Sequence, residues 1–290
     1  MVPTSRDRPP FDALLPPEMA ARAEDVGVQK ARLDAVSLLA LGVLAGAFIS
    51  LGAVFATTVS AGAGELPFGL VRLLAGLAFS LGLILVIIGG AELFTGNTLI
   101  VMAWASGKIS PSLVLRNWSI VYVGNLVGAL ATAAVMFISG QYVFGAGTVG
   151  LAALTIGNAK AGLEFVPAIA LGMMCNALVC LAVWLTFSAR TTTDRILAII
   201  PPIAAFVAAG FEHSVANMYF IPEAIAIRSM APDSFWATID RDPGDFPNLT
   251  VEGFLANLLP VTIGNVIGGA VMVGVVYWFI YLRVPRSPAP

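Results

Sequence analysis

The chain has 290 residues, of which 58% are hydrophobic and 11% charged, with a formal net charge of −2 and a mean hydropathy of +0.91. A soluble domain carries about 25% charged residues, so the composition excludes a soluble globular protein and points to an integral membrane protein. No basic run suggests nucleic acid as a partner.

The N-terminus carries Arg6, Asp7 and Arg8, then prolines and no early apolar core. That is not the pattern of a signal peptide. Residues 1–17 are proline-rich and polar and read as extended or loosely ordered. Residues 18–32 read as a helix, either amphipathic on the cytoplasmic surface or simply solvated. A bilayer core needs about 20 apolar residues in helical form. Residues 35–64 hold no charge and give span one. Residues 73–91 and 93–107 are uncharged on either side of Glu92, too long for one straight helix and too short for two. They read as span two, broken near Glu92-Leu93-Phe94-Thr95-Gly96-Asn97. Span three covers about 113–139 and leads into a Gly-rich loop. Span four covers about 164–188. Span five covers about 195–222 and contains Glu212 and His213. A polar, proline-containing loop, 223–251, precedes span six at about 253–282, and a proline-rich tail follows. This divides the chain into an N-terminal cytoplasmic segment, 1–34, a six-span domain, 35–282, and a tail, 283–290. Cys175 and Cys180 share span four and read as reduced, buried small hydrophobes.

Lys and Arg set the orientation. With the N-terminus inside, eleven lie on inner segments and four, Arg72, Lys160, Arg228 and Arg241, on outer ones. This asymmetry predicts both termini inside, on the cytoplasmic side of the membrane.

The two halves echo each other. Ala40-Leu41-Gly42-Val43-Leu44-Ala45-Gly46-Ala47 resembles Ala170-Leu171-Gly172-Met173-Met174-Cys175-Asn176-Ala177. Gly124-Asn125-Leu126-Val127-Gly128-Ala129 resembles Gly264-Asn265-Val266-Ile267-Gly268-Gly269. Glu92 with Asn97 resembles Glu212 with Asn217 at the same spacing. Three spans per half is an odd number, so the second half is inverted, as in transport proteins whose discontinuous helices meet near the midplane. Glycines at every fourth position of the repeated words let helices pack closely.

Gly89-Gly90 and Gly96 flank one break; Pro201-Pro202 and Gly210 precede the other. Freed backbone groups are tolerated where they line a cavity. The breaks would bring Thr95 and His213 toward a shared path, where half-helix N-termini favour an anion. His213, the single histidine, could be a packing residue, but an ionisable side chain at membrane depth is costly and marks a pathway. Glu212 is expected to point away and to pair, with Lys160 and Asn217 as candidates. Lys160 reads most simply as a solvated loop charge, more sharply as an anion collector. Phe79, Leu83, Leu93, Phe94 and Phe206 read as core or lipid-facing residues, or as a hydrophobic gate.

Gly210-Phe211-Glu212-His213-Ser214-Val215-Ala216-Asn217-Met218 resembles the signature of the formate/nitrite transporter family, and Ala91-Glu92-Leu93-Phe94-Thr95-Gly96 resembles its span-two signature. The likeness covers nearly the whole chain. Phe11-Asp12-Ala13-Leu14-Leu15-Pro16, Asn125-Leu126-Val127-Gly128-Ala129-Leu130, Pro260-Val261-Thr262-Ile263-Gly264-Asn265 and Tyr277-Trp278-Phe279-Ile280-Tyr281-Leu282-Arg283 are similar to its formate subgroup. The resemblance implies a homopentamer of aquaporin-like protomers in lipid, each with its own pore. It implies Thr95 and His213 at the pore centre and constrictions from Leu83, Leu93, Phe94, Phe79, Val179 and Phe206. It implies a polar, anion-attracting cluster of Lys160, Glu212, Asn176, Asn265 and Asn217. It also links the helix at 18–32 to gating at low pH. Gly96-Asn97 departs from the formate subgroup, where small hydroxyl residues are commoner, toward the nitrite subgroup.

The expected activity is therefore pH-dependent passage of formate, with transient protonation of the anion by His213 or hydrogen bonding to it. A bare anion pays a large desolvation cost at a dry ring, and a neutral acid pays far less. Nitrite or hydrosulfide is the alternative cargo, and acetate a further related anion. A proton-coupled carrier is the alternative mechanism. An enzyme is not expected: Glu212, His213 and Ser214 are consecutive and cannot face one another as nucleophile and base. One histidine and two cysteines in another span give no metal ligand set, and no cofactor is implied.

Overall fold

The computed structural model describes residues 13–64 and 66–284. The expectations for residues 1–12, including Phe11-Asp12, and for the end of the tail lie outside these residues. Thirteen α-helices lie among the described residues: α1 (Pro16–Arg32), α2 (Ala35–Ser60), α3 (Phe68–Gly89), α4 (Phe94–Asn97), α5 (Val101–Ala105), α6 (Pro111–Ser139), α7 (Thr148–Ala161), α8 (Phe165–Ser188), α9 (Thr192–Ala209), α10 (Ser214–Met230), α11 (Asp233–Ile239), α12 (Val251–Val266) and α13 (Val276–Tyr281). A 3-10 turn joins α4 to α5, and a π-helical stretch, Ile267–Val275, joins α12 to α13. No strand is present among the described residues.

Six helices are long and apolar enough to cross a membrane: Ala35–Ser60, Phe68–Gly89, Pro111–Ser139, Phe165–Ser188, Thr192–Ala209 and Val251–Tyr281. Polar caps start several of them. Asp34 accepts from the amides of Val36 and Ser37, and Thr191 and Asp194 form a reciprocal box at the head of α9. Such caps satisfy the amides that a first turn leaves free. At α1, Pro16 and Pro17 have no amide N–H and so need no acceptor, and the Glu18 carboxylate accepts from the Leu15 amide.

Each half is built the same way. Helix α2 packs against α3 and α6, α8 packs against α9 and α12, and α3 meets α9 across the halves. The repeated glycines are contact points. A Cβ on Gly124 would stand 2.9 Å from the Leu39 carbonyl oxygen, and one on Gly172 2.8 Å from that of Val261.

Helix α3 stops at Gly89 and helix resumes at Phe94; α9 stops at Ala209 and helix resumes at Ser214. Both stops are glycine caps, Gly90 at φ 80° and Gly210 at φ 79°. A Cβ is disfavoured in that left-handed conformation. Pro201 and Pro202, expected to loosen the second segment, lie inside continuous α9, so the stop comes from Gly210.

Three other expectations need correction. The Gly-rich stretch after α6 holds a helix, α7, as well as turns. Gly150 and Gly157 in it meet Phe235, Phe220 and Ala224 too closely for a side chain, so a packing composition reads as a loop. The segment beginning at 223 is not irregular, because α10 runs to Met230 and α11 follows. Helix α1 is not merely laid on a surface. Met19, Ala20, Ala23, Glu24, Gly27 and Ala31 are buried, Gly27 lies against Ala103 and Ile100, and Lys108 binds Glu24 at 2.5 Å.

Candidate functional site

The two interruptions meet. Thr95 Oγ1, in the first turn of α4, lies 2.9 Å from His213 Nε2, at the N-cap of α10. Both side chains are buried. The Ala216 amide donates to His213 Nδ1 at 3.0 Å, so Nδ1 presents its lone pair and the neutral ring carries its proton on Nε2. That proton points at Thr95 Oγ1 and leaves the threonine hydroxyl hydrogen free to donate elsewhere. The Phe206 ring lies over the imidazole, centroids 6.0 Å apart.

Buried asparagines hold both breaks. Asn125 Oδ1 accepts from the Phe94 amide at 2.9 Å, and its Nδ2 donates to the carbonyls of Gly42 and Glu92. Asn265 does the same for Ser214, Gly172 and Glu212. Backbone freed by each interruption is thus satisfied inside the protein, as an apolar surround demands.

Behind each break lies a matching ionic cluster. Lys160 Nζ binds Glu212 Oε1 at 2.8 Å, Asn217 Nδ2 donates to Glu212 Oε2 and to Asn257 Oδ1, and Asn257 Nδ2 donates to the Lys160 carbonyl. In the first half Lys30 binds Glu92 at 2.6 Å, Asn97 donates to Glu92 and Asn117, and Asn117 donates to the Lys30 carbonyl. Glu212 therefore pairs with both expected candidates. Lys160 is not a solvated loop charge: it sits near the end of α7 with its side chain 16% exposed. The sequence reading left out Lys30 as a partner, along with Asn117 and Asn257. A signal existed, since the same spacing separates Asn117 from Asn125 and Asn257 from Asn265.

Two cavities approach the centre, and no described residue lines both. One, of about 270 Å³ on the α1 side, is lined by Arg22, Lys30, Leu83, Leu93, Gly96 and Arg195 among others. The other, of about 390 Å³ on the α7 side, is lined by Arg72, Phe79, Lys160, Phe206, His213 and Phe220 among others. Phe79 and Leu83 lie one turn apart on α3 yet face different cavities, so the wall between them is on the order of 6 Å thick. Phe94 and Val179 are buried and line neither cavity; the Phe94 ring packs edge-on to Tyr122 and Trp118. Asn176 does not reach His213. It donates to the carbonyls of Thr95 and Asn265, and with Thr98 and Cys180 it fixes the Thr95 backbone. Arg72, unmentioned by the motifs, donates to the carbonyls of Val207 and Ala208 and closes the end of α9 just before the break. Among the described residues, no group of three or more His, Cys, Asp or Glu side chains could hold a metal ion.

Fold and site together define a multi-pass helical membrane protein whose polar centre is built where two interrupted helical segments meet. The chain belongs to the formate/nitrite transporter family, whose model matches residues 17–279. It is 47% identical over 275 residues to the formate channel FocA of Escherichia coli K12, covering 94% of this chain and 96% of that one. It is 42% identical over 264 residues to the FocA of Haemophilus influenzae, covering 91% and 93%. Among solved structures it resembles a pentameric formate channel with formate bound, with a TM-score of 0.82 at 48% identity, covering 86% of this chain and 98% of that one.

Proposed function

We propose that this protein is a formate channel of a bacterial inner membrane, a homopentamer in which each protomer carries its own path through the Thr95–His213 centre. The observation that carries the reading is the 2.9 Å contact of Thr95 with His213, flanked by one cavity on each side. The identity to formate channels supports the cargo. In this reading α3 with α4–α5, and α9 with α10, cross the membrane as two discontinuous spans of inverted halves. The Lys and Arg asymmetry puts α1 and both termini in the cytoplasm.

The mechanism follows from the hydrogen bonds. Arg22 and Arg195 on one side and Arg72 on the other raise the local concentration of small anions. Lys30 and Lys160 are paired with Glu92 and Glu212, so each of these pairs is close to neutral and neither attracts nor repels an anion strongly. At the centre an anion meets a fixed donor chain, His213 Nε2–H to Thr95 and the Thr95 hydroxyl to the anion. Aligned donors substitute for lost water. Taking a second proton would turn Nδ1 into a donor facing the Ala216 amide, so the geometry favours His213 as a hydrogen-bond donor over His213 as an acid. The proton that makes formate neutral then comes from solvent in the cationic cavity, and flux rises as pH falls. Leu83 and Leu93 on one face and Phe79 and Phe206 on the other hold the apolar barrier.

Formate and nitrite uptake by the purified protein in proteoliposomes, measured side by side, tests the cargo. Formate is expected to be carried faster. Faster nitrite flux would overturn the assignment.

A further inference from the structure

Four carboxyl groups are buried among the described residues. Glu24, Glu92 and Glu212 each bind a lysine. Glu223, in α10 and 5% exposed, does not, and its Oε2 has no hydrogen-bond partner among the described residues. Helix α10 packs against α2, α4, α6, α7 and α12. Helices α2 and α4 carry no titratable side chain. On α6, Arg116 donates to the Leu33 carbonyl and Tyr122 shares a hydrogen bond with Thr262; on α7, Lys160 binds Glu212; on α12, Glu252 is exposed. On α10 itself, Arg228 donates to the carbonyls of Pro243 and Leu249, His213 at the N-cap meets Thr95, and buried Tyr219 stands one turn before Glu223. Every cation on these elements is committed elsewhere.

Position gives Glu223 its interest. Ala216 and Phe220 line the α7-side cavity. Glu223 follows them by seven and three residues, on the same face of α10. It lies about 10 Å along the helix from Ala216 and about 15 Å from His213. A second buried oxygen without a partner, Thr57 Oγ1, is on α2 directly after Ala56, which lines the same cavity. Two uncommitted polar groups thus stand on two packed helices that wall one cavity.

We propose that Glu223 is a proton-binding site in the wall of the α7-side cavity: its carboxyl is neutral while the channel conducts, and loss of the proton at alkaline pH places a fixed negative charge beside the anion path and slows anion entry. An unpaired carboxylate at membrane depth is costly. It can only accept hydrogen bonds, whereas the protonated group is uncharged and donates one. The effect on flux rests on the formate reading above; the proton site does not. This response belongs to one side chain away from the Thr95–His213 centre, so it vanishes with that side chain while the centre stays intact.

The test is the infrared difference spectrum of purified protein in lipid vesicles, wild type minus Glu223→Gln, at about pH 6 and about pH 9, with formate uptake measured at the same two values. An ordinary glutamate is already ionised at about pH 6. The difference spectrum is expected to show the C=O stretch of a protonated carboxyl at the lower pH and to lose it at the higher. Wild-type flux is expected to fall between the two values by a factor of about three to ten more than that of Glu223→Gln, which cannot ionise. Glu223→Met supplies the same comparisons if the glutamine variant fails to fold. A carboxylate band in place of the carboxyl band at the lower pH would overturn the proposal. So would a carboxyl band that persists unchanged at the higher pH, or fluxes that fall in parallel. Formate flux absent from every protein, wild type included, would defeat the formate reading, and the carboxyl band would still decide the proton site.

Discussion

At the scale of single residues, the cluster behind the second break makes a measurable claim. Lys160 and Glu212 are largely buried, at 16% and 5% side-chain exposure. Removing one member of such a pair strands the other charge, at a cost of roughly 3–5 kcal/mol. Lys160→Met is therefore expected to lower the melting temperature in detergent markedly, and Lys160→Met with Glu212→Gln to recover much of the loss. Equal destabilisation by the single and double variants would show that the pair is not coupled. Glu212 and His213 were legible in the sequence because charge-bearing side chains stand out in an apolar run. Asn125, Asn117 and Asn257 were harder to see: their matched spacing in the two halves is a signal, but the role of an uncharged asparagine becomes plain only when the groups it holds are in view. Lys160 misled because the glycines before it looked like a loop.

At the scale of elements, the account turns on glycines that do different work. A Cβ on Gly128 of α6 would stand 2.9 Å from the Ala47 amide nitrogen of α2, whereas one on Gly69 of α3 meets nothing within 4 Å. Gly128→Ala should therefore destabilise by roughly 1–3 kcal/mol through overpacking. Gly69→Ala should be neutral or slightly stabilising, within about 1 kcal/mol. Thermal unfolding of the two variants in the same detergent separates them, and equal losses would contradict the packing argument. The positions of the six spans were readable from the spacing of charges. The helix ends were not, since an uncharged run continues past the point where a glycine cap or a turn ends the helix. That is why span one stops at Ser60 and α10 extends to Met230. Pro201 and Pro202 were the more visible breakers, yet the left-handed caps at Gly90 and Gly210 set the interruptions.

At the scale of the whole molecule, α1 is wired into the domain from two sides, through Lys30 to Glu92 and Asn97 and through Lys108 to Glu24. The hydrogen bond to Glu24 raises the Lys108 pKa above its ordinary 10.5. A raised lysine contributes fully below its unfolded pKa and loses its contribution only as pH rises through the folded value. Lys108 therefore stays charged throughout the acid and neutral range and is not an acid switch. Lys108→Met is expected to increase amide exchange in α1 by a similar factor at about pH 5 and about pH 8; a loss confined to acid pH would contradict this. The central claim concerns the pair that joins the halves. Its most direct test is formate flux from about pH 5 to about pH 8 in proteoliposomes holding His213→Gln or His213→Phe. If His213 serves as a neutral donor, glutamine, which presents an N–H and cannot act as an acid, keeps a flux that rises as pH falls, while phenylalanine loses most of the flux at every pH. A glutamine variant whose flux no longer responds to pH would contradict the account and return His213 to the role of proton source.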